Sequence, residues 1–386
     1  MSQRRIYLDH AATSWPKSEA VLAAMDHFHR TEGAAAGRGT YAAAFRASAG
    51  IAQCRRRIAR MIDADDETCI SFHSNATAAL NAAIHGLIRP GDHVVTTAAE
   101  HNSVLRPLTY LQENQRVRLT IVPCDAKGSV DANEVIDAVG PDTRMVAVTH
   151  ASNVTGAMQP IEEIGFALKE KDVAVLCDAA QTFGYMPISL KEMNVDLFVA
   201  PGHKGGAGPL GTAMLYCHPR WHDELRPTIQ GGTGSQSESL TMPESMPDKL
   251  ESGNLNVPAI VGWDAGLREL TDEVLTATAS RFLDLSAMLY RRLAKIPHVN
   301  VIGPSNFVPL VSLTIDGMSP SDISAVLDSD FGIETRAGFH CAALIHHYIN
   351  TEQDGTLRIS AGRETSDDEI DRVIDAIKDI AFELNR

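Results

Sequence analysis

The sequence predicts an α/β protein: a mostly parallel sheet in a large domain, followed by a smaller α+β domain at the C-terminal end. Three observations carry that prediction. From about residue 68 to 217, short apolar, β-rich runs alternate with helix-like segments. A long Gly-, Ser- and Pro-rich stretch occupies residues 228–258, and beyond it helical periodicity mixes with a few strand-like runs.

Taken in order, TCISFH, HVVTTAA, RLTIVP, MVAVTH, AVLCDAA, DLFVAP and GTAMLYC read as strands, and their continuous apolar character is that of strands covered on both faces. TAALNAAIHGLI, NSVLRPLTYLQEN and EEIGFALKEK, which stand between them, read as covering helices. Residues 228–258 show neither period and read as a long surface excursion. After it, VGWDAGLRELTDEVLTATASRFLDLSAMLYRRLAKI reads as helix, VPLVSLTI and GTLRIS as strands, and SDDEIDRVIDAIKDIAFELNR as an amphipathic helix. On this division residues 15–257 form the large domain, and residues 258–386, joined by 1–14, the small one.

The chain has 386 residues and a formal charge of -15, which argues against a sequence-independent grip on nucleic acid, since that needs clustered Lys and Arg. No apolar run approaches the roughly 20 residues that span a bilayer, and MSQRRIYLDHAATS has no apolar signal core, so a cytoplasmic protein is expected. The six cysteines are scattered without a CxxC pair and read as reduced thiols. His346 with His347, and His27 with His29, do not share a helix face, so no metal site is expected.

In an open α/β sheet, ligands bind outside the carboxyl ends of the strands. Those ends carry Ser74 to Thr77, Glu100 and His101, Ser152 and Asn153, Asp178 and Gln181, and His203 and Lys204. The turn at Thr77 opens a helix, where backbone N–H groups favour a phosphate or simply a cap. Asp178, at the end of an apolar run, suits either a structural ion pair or a ring nitrogen that it keeps protonated. Lys204, set among Gly202, Gly205, Gly206 and Gly208, can be desolvated and form an imine, and His101 can stack on a flat ring. Together these are the needs of pyridoxal 5'-phosphate.

The stretches YLDHAATS (7–14), EHNSV (100–104), SNVTG (152–156), DAAQ (178–181), GHK (202–204), LESGNLN (250–256) and RAGFHCA (336–342) extend the pattern over nearly the whole chain. In them the sequence resembles the class V, fold-type I pyridoxal-phosphate enzymes, within them the cysteine desulfurase and selenocysteine lyase group. The resemblance implies Lys204 as the imine-forming lysine, Asp178 on the pyridine nitrogen, Gln181 on the ring hydroxyl and His101 stacked on the ring. It implies Ala76, Thr77 and His203 around the phosphate, with Asn254 reaching a neighbouring subunit's phosphate in a homodimer. Arg358, with Asn153 and Ala11, is implied at the substrate, Arg358 gripping its carboxylate.

By the same resemblance Cys341 is the thiolate nucleophile that takes sulfur from L-cysteine, leaving alanine, before an acceptor protein or a reductant removes the sulfur. The compact RAGFHCA segment resembles the short-loop branch, which implies limited reach for Cys341 and slow unassisted turnover. Three positions depart from the family pattern: Pro201 stands where a phosphate-binding serine is usual, His10 where an asparagine is, and Asn254 where a threonine is. Alternative readings are a selenocysteine lyase, a class V aminotransferase, a C–S β-lyase acting on another amino acid, or a non-catalytic sulfur-trafficking protein.

Overall fold

The computed structural model describes residues 5–305 and 308–384; residues 1–4 and 385–386, the outer ends of the expected small domain, lie outside the described residues. The chain enters through β1 (Ile6–Tyr7), α1 (Glu19–His27) and α2 (Ala42–Met61). Strand and helix then alternate: β2 (Ile70–His73) leads to α3 (Ala76–Leu87), β3 (His93–Thr97) to α4 (Asn102–Gln115), and β4 (Arg118–Val122) to α5 (Ala132–Asp137). Next, β5 (Thr143–Thr149) leads to α6 (Ile161–Leu168), β6 (Ala174–Asp178) to α7 (Leu190–Met193), and β7 (Leu197–Pro201) to β8 (Ala213–Cys217).

These strands form one seven-stranded sheet in the order β2-β8-β7-β6-β5-β3-β4. All pairs from β7 to β4 are parallel, and β8 is antiparallel to both neighbours. Along β6, Ala174 and Leu176 pack into the core on one face while Val175 and Cys177 pack into the core on the other. Burial on both faces is why the run reads as continuously apolar. The order reverses between β3 and β5, which opens a crevice at their carboxyl ends.

No regular strand or α-helix interrupts residues 222–256. That excursion is fastened at its far end by Glu251, whose carboxylate takes both terminal nitrogens of Arg55 at 2.8 and 2.9 Å and the Phe72 N–H at 2.7 Å. Both side chains are less than a tenth exposed. Glu251→Gln leaves the Arg55 guanidinium buried without its countercharge and is expected to cost about 3 kcal/mol in urea unfolding.

After the excursion come α8 (Val257–Leu267), α9 (Asp272–Leu293), β9 (Val299–Ile302), β10 (Leu310–Ile315), α10 (Pro320–Phe331), β11 (Ile333–Glu334), β12 (Arg336–Gly338), α11 (Ile345–Tyr348), β13 (Thr356–Ser360) and α12 (Asp367–Glu383). The stretch read as one helix from residue 261 is two. Thr271 accepts the Val274 N–H and caps α9, so α8 packs against α1 and α2 while α9 turns away to the second sheet. Neither α1 nor α2 is anticipated in the sequence reading, which assigns no element before residue 68.

The second sheet is antiparallel, in the order β12-β13-β10-β9, and β1 pairs in parallel with β11 beside it. Leu357 and Ile359 of β13 enter the core beneath α9 and α12. The strand's two-residue period therefore turns Thr356, Arg358 and Ser360 to the opposite face, toward the first sheet. Among the described residues no helix is long and apolar enough to cross a membrane.

Candidate active site

A cavity of about 220 Å³ lies between the strand ends of the first sheet and the inner face of the second. It brings together Ala11, Ala76, Thr77, His101, Asn153, Asp178, Gln181, His203, Lys204 and Arg358, all of them expected from the sequence. Asn254 is exposed and does not line it. Pro201, one of the three departures, does line it.

Each wall has a local cause. Asn75 caps α3 by accepting the Ala78 N–H at 2.9 Å, so Ala76 and Thr77 are its first two residues. Their N–H groups precede the first intrahelical bond and face an anion at the positive end of the helix. His101 caps α4: its Nδ1 accepts the Ser103 N–H at 3.0 Å, which leaves the ring proton on Nε2. Burial, and then Lys204, lowers this imidazole to about 4, so it is a neutral flat ring. The Ser103 hydroxyl sits 2.7 Å from that of Thr77 and ties the two helix starts together.

Asp178 ends β6. Its Oδ1 accepts the Ala180 N–H at 3.0 Å, and among the described residues Oδ2 has no partner. Burial pushes its carboxyl up, a cost that a cationic N–H at Oδ2 would offset. The Gln181 amide donates to the Ala11 carbonyl at 3.2 Å, and its buried Oε1 is left without a donor. His203 Nδ1 is likewise buried and unpaired. Lys204 follows β7, and its ammonium has no hydrogen-bond partner among the described residues. Desolvation lowers it to about 8; Asp178 opposes the shift, and Arg358 and Arg336 reinforce it.

This donor set fits pyridoxal 5'-phosphate: free helix N–H groups for a phosphate, an unpaired Oδ2 for a ring N–H, an orphaned Oε1 for a ring hydroxyl, and a desolvated amine for an aldehyde.

On the opposite wall Arg358 is buried in β13, with Nη1 donating to the Asn153 carbonyl at 2.9 Å and Nη2 paired with Asp9 at 2.7 Å. Its Nε is unpaired. Asn153 does reach the cavity, yet its amide nitrogen is committed to the His340 carbonyl at 2.6 Å. Cys341, next in sequence, is exposed and does not itself line the cavity, though its neighbour His340 and its partner Arg336 do; Arg336 donates to its sulfur at 3.3 Å. His340 and Cys341 both adopt left-handed backbone angles, φ +49 and +60, and the Asn102 N–H holds the Cys341 carbonyl at 2.7 Å. The segment is thus short, strained and tethered. The other five cysteines are buried, and burial pushes every one of their thiols up.

The sequence reading gave no role to Asp9 or Ser103, which only their positions inside YLDH and EHNSV could have flagged; it placed Glu100 among the polar strand ends of the pocket, but Glu100 does not line the cavity. Glu100 is fully buried; Oε1 accepts from Thr97 Oγ1 at 2.7 Å and the Thr149 N–H at 2.9 Å, while Oε2 has no partner. Burial, with Asp178 adding to it, raises its carboxyl from 4.5 to about 8. The folded protein therefore keeps a proton that the unfolded chain releases. Its stabilising contribution is complete below about pH 4.5 and is lost as the pH rises toward 8. Glu100→Gln, fixed in the neutral form, is expected to remove that slope. The stability of the wild type relative to the variant should fall by about 1.4 kcal/mol per pH unit across the window, read by urea unfolding.

Comparison with known proteins gives a consistent result. The aminotransferase class-V family model matches residues 6–373. A probable cysteine desulfurase of Methanothermobacter thermautotrophicus is 32% identical, covering 97% of this chain and 94% of that protein. One of Pseudomonas putida is 30% identical over 100% of this chain and 95% of its own. Among solved structures, the apo cysteine desulfurase of Thermococcus onnurineus NA1 superposes with a TM-score of 0.91 at 28% identity, covering 98% of this chain and 95% of that one. The S-sulfonic acid form of an Escherichia coli cysteine desulfurase gives 0.87 at 26% identity, with 98% and 95% covered.

Proposed function

The chain belongs to the aminotransferase class-V family, and from that premise we propose that it is a pyridoxal 5'-phosphate-dependent cysteine desulfurase that converts L-cysteine to L-alanine and keeps the sulfur as a persulfide on Cys341. The observation that carries the reading is one exposed thiol whose sulfur is held by Arg336, a residue that lines a cavity built around a desolvated lysine and a buried aspartate with one oxygen unpaired.

When bound, the cofactor supplies a carbonyl that condenses with amines and a cationic ring that stores an electron pair. Ala76 and Thr77 would hold its phosphate, Asp178 its ring N–H, Gln181 its hydroxyl, and the neutral His101 ring its face. Arg358 orients the substrate through its carboxylate, a two-point contact that fixes the α-carbon relative to Lys204. Lys204 Nζ, whose affinity for a proton burial lowers to about 8, within reach of neutral pH, takes the α-proton when unprotonated. Cys341 Sγ then attacks the substrate sulfur: an S–S bond forms, the Cβ–S bond breaks, and its electron pair stays with carbon, which is protonated to give alanine. A two-electron reductant or an acceptor thiol then cleaves the persulfide. The tether of Asn102 on Cys341 supports a short reach and slow unassisted turnover.

The same reading includes the finer expectations. The large and small domains divide near residue 257, the enzyme works in the cytoplasm as a homodimer, and an acceptor protein receives the sulfur. The excursion at residues 222–256 supports the dimer, since it exposes Ile229 and Leu240 and carries Asn254, which is exposed and does not line its own chain's cavity. The test is to supply the protein with pyridoxal 5'-phosphate, L-cysteine and a reductant, and to score alanine and sulfide together. Equal yields are expected; pyruvate in place of alanine would mean β-elimination.

A further inference from the structure

Lys204 stands in a glycine-rich turn, where the backbone alone would leave its long side chain free to sweep. Two features restrain it. The His203 carbonyl, immediately before the lysine, receives four donors: Lys17 Nζ at 2.7 Å, the Ser14 N–H at 3.0 Å, and the Thr13 and Ser14 hydroxyls at 3.1 Å each. The carbonyl of the next residue, Gly205, receives both terminal nitrogens of Arg363, Nη1 at 3.2 Å and Nη2 closer still, while Lys204's own carbonyl accepts the Ala207 N–H at 3.1 Å. The backbone is pressed tight here. A Cβ on Gly205 would stand 2.2 Å from the Phe183 carbonyl, and one on Gly184 2.2 Å from the Gly205 carbonyl.

Among the described residues neither Lys17 nor Arg363 has a carboxylate within ion-pair distance. Their polar partners are these backbone carbonyls, with the Ser14 hydroxyl added for Lys17 and the Gly184 carbonyl for Arg363. Desolvating a cation is costly, and both are held where burial lowers their affinity for a proton. Both side chains keep some exposure, and Arg363 also lies over the Tyr185 ring; what sets the pair apart is that their hydrogen bonds converge on the backbone on either side of Lys204. The two cations also line one cavity of about 460 Å³ behind the lysine turn, which shares no lining residue with the catalytic cavity.

We propose that Lys17 and Arg363 are positioning residues for Lys204, one capping the carbonyl of the residue before it and the other the carbonyl of the residue after it, and together fixing the direction in which its amine enters the active site. The inference rests on Lys204 being the cofactor-binding lysine. The two anchors come from outside the lysine turn: Lys17 from the segment that follows Asp9, and Arg363 from five residues beyond Arg358. Arg358, expected to grip the substrate carboxylate, and its partner Asp9 therefore share two short stretches of chain with the groups that aim the lysine.

The test compares Lys17→Met and Arg363→Met with the conservative Lys17→Arg and Arg363→Lys. It follows kcat and KM for L-cysteine, the rate at which apo-protein captures pyridoxal 5'-phosphate, and Tm. Each Met variant is expected to lose about tenfold in kcat and in capture rate with KM within about twofold, because a misaimed amine affects reaction rather than binding. Lys17→Arg should restore most of the loss. Folded Met variants with unchanged kcat and capture rate would overturn the proposal, as would a loss that follows a fall in Tm and is not restored by the conservative variants. Wild-type protein that captures no cofactor would overturn the proposed function as well. Wild-type capture matched by the Met variants would overturn this inference alone.

Discussion

Cys341→Ala is expected to yield folded protein that still takes up pyridoxal 5'-phosphate but forms neither sulfide nor alanine from L-cysteine, a loss of about 10³-fold or more. The size of the effect follows from the surroundings of the six thiols. Cys341 is the exposed one, with the Arg336 guanidinium on its sulfur. The five others lie in the packed interior, where burial holds them in the unreactive thiol form, so none can stand in. Because the side chain is exposed, its loss should move stability by no more than about 0.5 kcal/mol. The check is a single-turnover experiment that scores alanine and sulfide with the enzyme in excess. Alanine formed at the wild-type rate would mean that carbon–sulfur cleavage does not need this thiol.

Lys204→Ala should be the more damaging change, lowering turnover by about 10⁴-fold or more, since one amine both anchors the cofactor and moves the α-proton. Mass spectrometry after borohydride treatment should find cofactor attached at Lys204 in the wild type and nowhere in the variant. A small exogenous amine should recover part of the proton-transfer rate. In apo-protein the same substitution has the opposite effect on stability. The lysine's affinity for a proton falls from 10.5 to about 8 on folding, so at pH 7 its charge is carried at a cost, and removing it should raise Tm. A variant that keeps wild-type turnover would remove Lys204 from the chemistry.

Much of this protein is legible locally. The alternation of apolar runs with helical periods identifies the sheet because strands buried on both faces cannot carry polar residues in mid-run, as Ala174 to Asp178 illustrates. The same constraint places the polar residues at strand ends, where Asp178, His101 and Lys204 stand. The boundary between α8 and α9 is less legible: the apolar residues run on through Leu270, and it is the cap at Thr271 that separates the helices. The helices before residue 68 are passed over in the sequence reading although Ala44, Ala47, Ile51, Cys54 and Ile58 of α2 recur at helical spacing and are buried, a stripe that is there to be read.

By itself, then, the sequence determined the fold class and the polar residues at the strand ends, which follow from local periodicity and short-range spacing, while the cysteine motif is what its resemblance to a family implies. Only the tertiary structure decided which of those groups are free and which are already committed. Asn153 is bound to the backbone before Cys341, Arg358 is paired with Asp9, Asn254 is exposed outside its own chain's cavity, and Glu100 is fully buried with one oxygen unpaired. The reason is distance along the chain. Arg358 and Asp9 are 349 residues apart, and Lys17 and the His203 carbonyl 186. Such pairs exist only once two sheets have packed, because desolvation and hydrogen bonding depend on what surrounds a group in space, which no local pattern specifies.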